Sequence, residues 1–119
     1  MVTFEEARTL YLLGFDLETD YYYVLCNGVD LLLESSQIVG SMRDSAQLIV
    51  PAPELYLVQE WFREYKNIEI KISTHDGCNW LPTLYQLQPE YKLISDNLNT
   101  YEDYKQALRI GINKAFNYI

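Results

Sequence analysis

Between Pro51 and Ile72 the chain reads PAPELYLVQEWFREYKNIEIKI, and this stretch restricts the fold more than any other. Pro53 suits the first helical position, where its missing N–H costs no hydrogen bond. Glu54 follows in the first turn, the favourable end of the helix dipole for an anion. Leu55, Val58, Phe62 and Tyr65 recur at spacings of three and four, one face of a helix. Asn67 stands where a left-handed C-terminal residue belongs. Immediately beyond it, Ile68, Ile70 and Ile72 alternate with Glu69, Lys71 and Ser73, the pattern of a strand with one buried face. A helix over 53–66 that turns sharply into a strand needs a sheet to lie on.

The remaining segments supply that sheet and two further helices. Thr3 and Glu6 have the spacing of a capping box. Phe4, Ala7, Leu10 or Tyr11, and Leu13 give a buried helical face, and Gly14 ends the helix, with Phe15 packing back on its last turn. Tyr21–Cys26 is rich in strand-forming residues, and Asn27-Gly28 is a two-residue hairpin signal. Val29–Glu34 is then the return strand. Residues 35–50 read as mostly irregular, with short apolar runs at Ile38, Val39 and Met42 and at Leu48–Val50. Asp76-Gly77 marks a turn. Trp80–Leu87 reads as a strand, but Pro82 within it implies an edge or a bulge. Tyr91–Ile94 makes a short third strand, and Asp96, Asn97 and Asn99 a loop. Thr100 opens a last helix to about residue 117, with Asp103 completing an imperfect capping box. Tyr104, Ala107, Leu108, Gly111, Ile112 and Ala115 lie on one face of it, and the strip Ala107–Gly111–Ala115 points to close helix–sheet contact. The expectation is a single α+β domain over 1–119: two layers, a mostly antiparallel sheet and three main helices at 4–13, 53–66 and 100–117. Helix, strand, turn and strand occur at 4–34 and again at 53–87 without matching residues. The second half has the element order of double-stranded-RNA-binding domains, an analogy that stops at that order.

Charge narrows the function. The chain carries 17 acids against 9 bases, a net charge of −8. Eight of the acids, against Arg8 and Arg43, fall in residues 1–52. Such a surface favours solubility and opposes polyanions. Affinity for nucleic acid comes mainly from neutralised phosphates, so no nucleic-acid partner is expected. No apolar run approaches the ~20 residues of a membrane span, and MVTFEEAR does not read as a signal peptide. A cytoplasmic location is the resulting expectation. Cys26 and Cys78 make no disulfide framework and read as free thiols.

His75, Asp76 and Cys78 are the one cluster of ligand-type residues. A metal site needs three or four protein ligands, and the sequence offers no second pair, so a polar hairpin turn is the preferred reading. A Cys–His nucleophile pair meets the same objection, since no oxyanion motif accompanies it. Trp61 and Leu57 stand one position off the main helical face. Either that helix is buried on a broad front, or the two residues face a partner, as interface aromatics do. The eleven tyrosines are a candidate base-stacking set, but no basic groove accompanies them. No phosphate loop, dinucleotide fingerprint or hydrolase elbow occurs, and neither a cofactor nor a metal is expected.

Three blocks in order, VTFEEARTLYLLGFD, APELYLVQEWFREYKNIEIKI and TYEDYKQALRIGINKAFNYI, resemble a family of small acidic proteins from phages and prophages of gut Bacteroidetes. They cover most of the chain. Phe62, Tyr104 and Phe116 depart from the family pattern of leucine or alanine and stay apolar. The resemblance implies a phage or prophage origin and expression inside a bacterial host cell; it supplies no catalytic residues. The function expected is therefore a non-catalytic accessory protein that acts on a host or phage protein. Two alternatives stay open: an acidic nucleic-acid mimic that occupies a basic groove of a host protein, and a metal-binding or Cys/His-dependent enzyme built on the His75–Cys78 turn.

Overall fold

A computed structural model describes residues 1–38, 40–96 and 99–119, without the side chain of Ser41. Val39 and Asn97, which the sequence reading placed in a short apolar run and in a loop, lie outside the described residues. The class is α+β, with antiparallel pairing in every described strand pair. The strands divide between two three-stranded sheets, in two compact units, Met1–Glu54 and Leu55–Ile119.

In the first unit, helix α1 spans Phe4–Leu12. Both halves of its capping box are present: Glu6 N donates to Thr3 Oγ1 at 3.2 Å, and Thr3 N donates to Glu6 Oε1 at 2.8 Å. Gly14, at φ +99°, closes the helix. Phe15 N donates to Leu10 O at 2.9 Å and Gly14 N to Tyr11 O at 3.1 Å, the paired bonds of a Schellman stop. Phe15 and Leu10 are both buried, so the residue after the stop does pack back towards the core. Strands β1 (Tyr21–Cys26) and β2 (Val29–Glu34) form the expected hairpin. Asn27 and Gly28 have φ of 53° and 78°, the double positive φ that a type I′ turn requires.

The stretch expected to be irregular contains more structure than its sequence suggests. Ser35–Gln37 is a 3-10 turn, helix α2 spans Gly40–Ser45, and strand β3 spans Leu48–Pro51. β3 pairs antiparallel with β1 on the flank opposite β2, which puts β1 at the centre in the order β2-β1-β3. The N-terminus closes on the end of this unit, through Val2 N to Pro53 O at 3.1 Å and the terminal ammonium to Glu54 at 3.3 Å.

In the second unit, helix α3 spans Leu55–Tyr65. It starts two residues later than expected, because the Pro53 carbonyl is already bonded to Val2. Tyr65, placed by its spacing on the buried face, is exposed instead. Asn67 takes the left-handed conformation at φ 57° and releases the chain into β4 (Ile68–Ser73). β4, β5 (Leu81–Gln86) and β6 (Lys92–Asp96) lie in that order. β5 is thus the central strand, a correction to the edge expected from Pro82. The bond from Leu87 N to Asn67 O sets the antiparallel alternation, which turns the backbone of Pro82 away from β4. The described pairing with β6 runs only from Thr83 to Gln86. The missing N–H therefore removes no bond from the β4–β5 ladder.

Helix α4 spans Tyr104–Ala115. It begins four residues after Thr100 because Tyr101 is held in a bridge to Trp80, with N···O distances of 2.7 and 2.9 Å. Asp103 caps it in place of Thr100, accepting from Lys105 N at 3.0 Å. Ala107, Leu108, Gly111, Ile112 and Ala115 are its buried face; Tyr104, placed there by its spacing, is exposed, edge-on to Trp80. This face lies on Ile70, Ile72 and Pro82, with room at position 111 for hydrogen alone. The two units share a helix-first order but not a topology: the first strand is central in one sheet, the second strand in the other.

Candidate functional site

The His75–Cys78 turn follows β4 and is built around Asp76. Its carboxylate accepts from the backbone N–H of Cys78 and Asn79, both at 2.8 Å, and from Asn79 Nδ2 at 3.0 Å. Thr74 Oγ1 donates to it at 3.3 Å and accepts from Gly77 N at 2.8 Å. Gly77 sits at φ +79°, a conformation open to glycine at no steric cost. The backbone N–H groups of Asn79 and Cys78 hold the Asp76 carboxyl well below the usual carboxylate range. A carboxylate engaged in this way organises a turn and keeps few lone pairs for a ligand. His75 and Cys78 are exposed beside it. Among the described residues, no group of three His, Cys, Asp or Glu side chains is placed to hold a metal ion. Both thiols are free.

The two residues offered as a partner surface are not equally available. Trp61 is only 3% exposed, edge-on to Phe62 at 5.2 Å between ring centroids, with the Lys66 ammonium 5.3 Å over its ring. Leu57 is half-buried. Phe62 also meets Phe116, so Trp61 belongs to an aromatic core cluster, and of the two residues Leu57 keeps the more exposed surface. Several of the tyrosines are engaged within the fold. Tyr21, Tyr22 and Tyr23 are half-buried on β1, Tyr23 donates its hydroxyl to Val2 O at 2.8 Å, and Tyr85 and Tyr91 stack on each other at 5.0 Å.

In the first unit, Glu18, Tyr22, Ile38, Arg43 and Ile49 line a depression of about 330 Å³, together with Thr19 and Ser35.

The feature that the sequence reading missed lies on β2. Val29, Leu31 and Leu32 are 56%, 44% and 42% exposed. They sit on an edge strand of a unit that carries nine carboxylates against Arg8 and Arg43. Leu12, on α1 of the same unit, is exposed as well. A signal was present: VDLLLE breaks the alternation of a strand with one wet face. Three leucines in a row put apolar side chains on both faces at once. Comparison with protein-family models, curated proteins and solved structures finds no match.

Proposed function

We propose that the chain is a non-catalytic accessory protein of phage or prophage origin, acting in a bacterial host by binding another protein. The observation that carries this reading is the set of exposed apolar side chains, Leu12, Val29, Leu31 and Leu32, on the strongly acidic unit. Exposed apolar side chains along one sheet edge, amid a strongly acidic surface, suit an interaction site. The His75–Cys78 turn supports the same reading, because its one carboxylate is taken up in holding the loop.

The test is affinity capture from a bacterial host lysate with the intact protein. The retained protein is then purified and titrated against it by calorimetry. The expected result is saturable binding with a negative heat-capacity change, the mark of apolar burial. Stoichiometric zinc or iron in the purified chain, or turnover of a substrate that requires His75 or Cys78, would overturn the reading.

A further inference from the structure

The two sheets have four outer strands, and three of them carry protection against pairing with another chain. β3 is four residues long and ends at Pro51. β4 presents Lys71, and its Ile70 carbonyl accepts from Gln59 Nε2 at 2.6 Å. β6 carries Lys92 and an irregularity at Ile94, whose carbonyl accepts from the Tyr118 hydroxyl at 3.2 Å. Short length, lysine, proline, bulges and covered carbonyls are the usual safeguards of a sheet edge. β2 has no lysine, proline or bulge, and its register with β1 is unbroken over six pairs.

The direction of its backbone groups follows from its neighbours. Tyr21 O and Leu25 O accept bonds from the β3 side, so Tyr22, Val24 and Cys26 turn towards β2. Their partners Val29, Leu31 and Leu33 turn inward, and Asp30, Leu32 and Glu34 turn outward, by the alternation of antiparallel ladders. Glu34 N is already bonded to Gln37 Oε1 at 2.8 Å. The open stretch is therefore Asp30 to Leu32, with the Glu34 carbonyl at its end.

Charge selects what can lie there. Outward-facing residues pair with outward-facing residues, so a second copy has two registers of equal overlap, one pairing Leu32 with Leu32 and one pairing Asp30 with Leu32. The first places Asp30 directly opposite Glu34, twice, and like charges directly opposite are destabilising; the second sets the two Asp30 carboxylates diagonally across one face, and either brings together two units that each carry nine carboxylates against two arginines. A foreign strand with cations across from Asp30 and Glu34 meets opposite charge instead. Between them it needs apolar residues to cover Leu31, Leu32 and Leu33.

We propose that the outer edge of β2 takes up an extended segment of a partner protein as an added antiparallel strand, and that this segment has the pattern cation–apolar–apolar–apolar–cation. Main-chain bonds to Asp30 and Leu32 hold it, and Asp30 and Glu34 select it, in the manner of strand addition to a sheet edge. This inference rests on the protein-binding reading above and names its surface.

The test uses the full chain and a fluorescent peptide, lysine–valine–leucine–valine–lysine between glycine–serine flanks, titrated by anisotropy. Its counterpart with glutamate for lysine, and a version N-methylated at the central leucine, serve as comparators. The expected result is saturable binding of the lysine peptide, at least about tenfold tighter than that of either comparator. Leu32→Pro keeps both carboxylates and removes one outward donor, a change an edge strand tolerates; it should abolish binding. Leu32→Lys is the second variant, to be used if the proline variant fails to fold, and should weaken binding by a similar factor. Equal binding of the N-methylated peptide overturns the strand geometry. Undiminished binding by a folded Leu32 variant does the same. A concentration-dependent dimer that Leu32→Lys converts to monomer makes a second copy the occupant and also overturns it. If the captured host partner still binds the Leu32 variants, the protein-binding reading stands and this inference falls; if no partner is captured and no peptide binds, both fall.

Discussion

A methyl group at position 111 would stand 2.7 Å from Ile70 Cγ2 and 3.3 Å from Pro82 Cβ. Ile70 is branched at Cβ, so its χ1 is stiff, and it is fully buried on β4. The methyl cannot be accommodated by a swing of a flexible chain end. Gly111→Ala gains up to about 1 kcal/mol of helix propensity and loses about 1–3 kcal/mol to overpacking. The expected outcome is a lower urea midpoint with an unchanged slope. This site was legible in the sequence, because Ala107 and Ala115 share the face of Gly111 a turn to either side. Asp76 makes a second prediction at this scale. Its carboxyl is held below its ordinary range by N–H donors of its own turn, so its folded-state pKa lies under the unfolded one. The stability it contributes is present above the ordinary carboxylate value, about 3.9, and is lost as pH falls through the folded value. The stability difference between the native chain and Asp76→Asn should hold steady above pH ~5 and shrink below pH ~4. A difference that grows on acidification would contradict this. Side-chain carboxyl NMR should show Asp76 titrating at lower pH than an unconstrained aspartate.

The elements that were readable in advance are those closed by their own residues. Thr3 and Glu6 cap α1 across three positions, Gly14 stops it, and Asn27-Gly28 turns the first hairpin with the expected register. Thr3→Ala should destabilise the fold by about 1 kcal/mol and raise amide exchange in the first turn of α1, while Thr3→Ser stays close to neutral. Three of the misreadings trace to the surrounding sheet or a distant bridge. Leu48–Pro51 is a strand because β1 offers it a free flank more than twenty residues earlier. α4 starts at Tyr104, and not Thr100, because Trp80 holds Tyr101 in a bridge. Pro82 is tolerated in a central strand because its backbone faces the β6 flank, at the end of the described pairing. The candidate site divides in the same way. Asp76-Gly77 was readable as a turn. The openness of β2 was not, because an edge is a property of the sheet order β2-β1-β3 and not of VDLLLE itself.

Across the whole molecule, charge sets what can be bound. No helix among the described residues is long and apolar enough to cross a membrane. The second unit has the α-β-β-β-α order that also occurs in double-stranded-RNA-binding domains, which makes duplex binding the sharpest contrary case to test. That unit carries seven bases against eight acids. The bases are not free to act as a group: Arg63 is bonded to Glu69 through two nitrogens, and Lys66 lies over Trp61. At the N-terminus of α4, where a phosphate would meet exposed N–H groups, Asp103 already caps Lys105 N and Glu102 adds a second carboxylate. Duplex affinity grows with the number of phosphates neutralised, and proteins that make about 6–10 such contacts show log K falling steeply with log salt. Bases interleaved with acids at this density cannot reach that number on one face. The expected result is therefore no saturable change in anisotropy when a labelled RNA or DNA duplex is titrated with tens of micromolar protein at physiological salt. Weak association confined to low salt agrees with the charge count. Micromolar or tighter binding at physiological salt, with a slope steeper than about −5 in log K against log salt, would mean that the bases of the second unit act together despite their acidic neighbours, and that the element order carries function as well as fold.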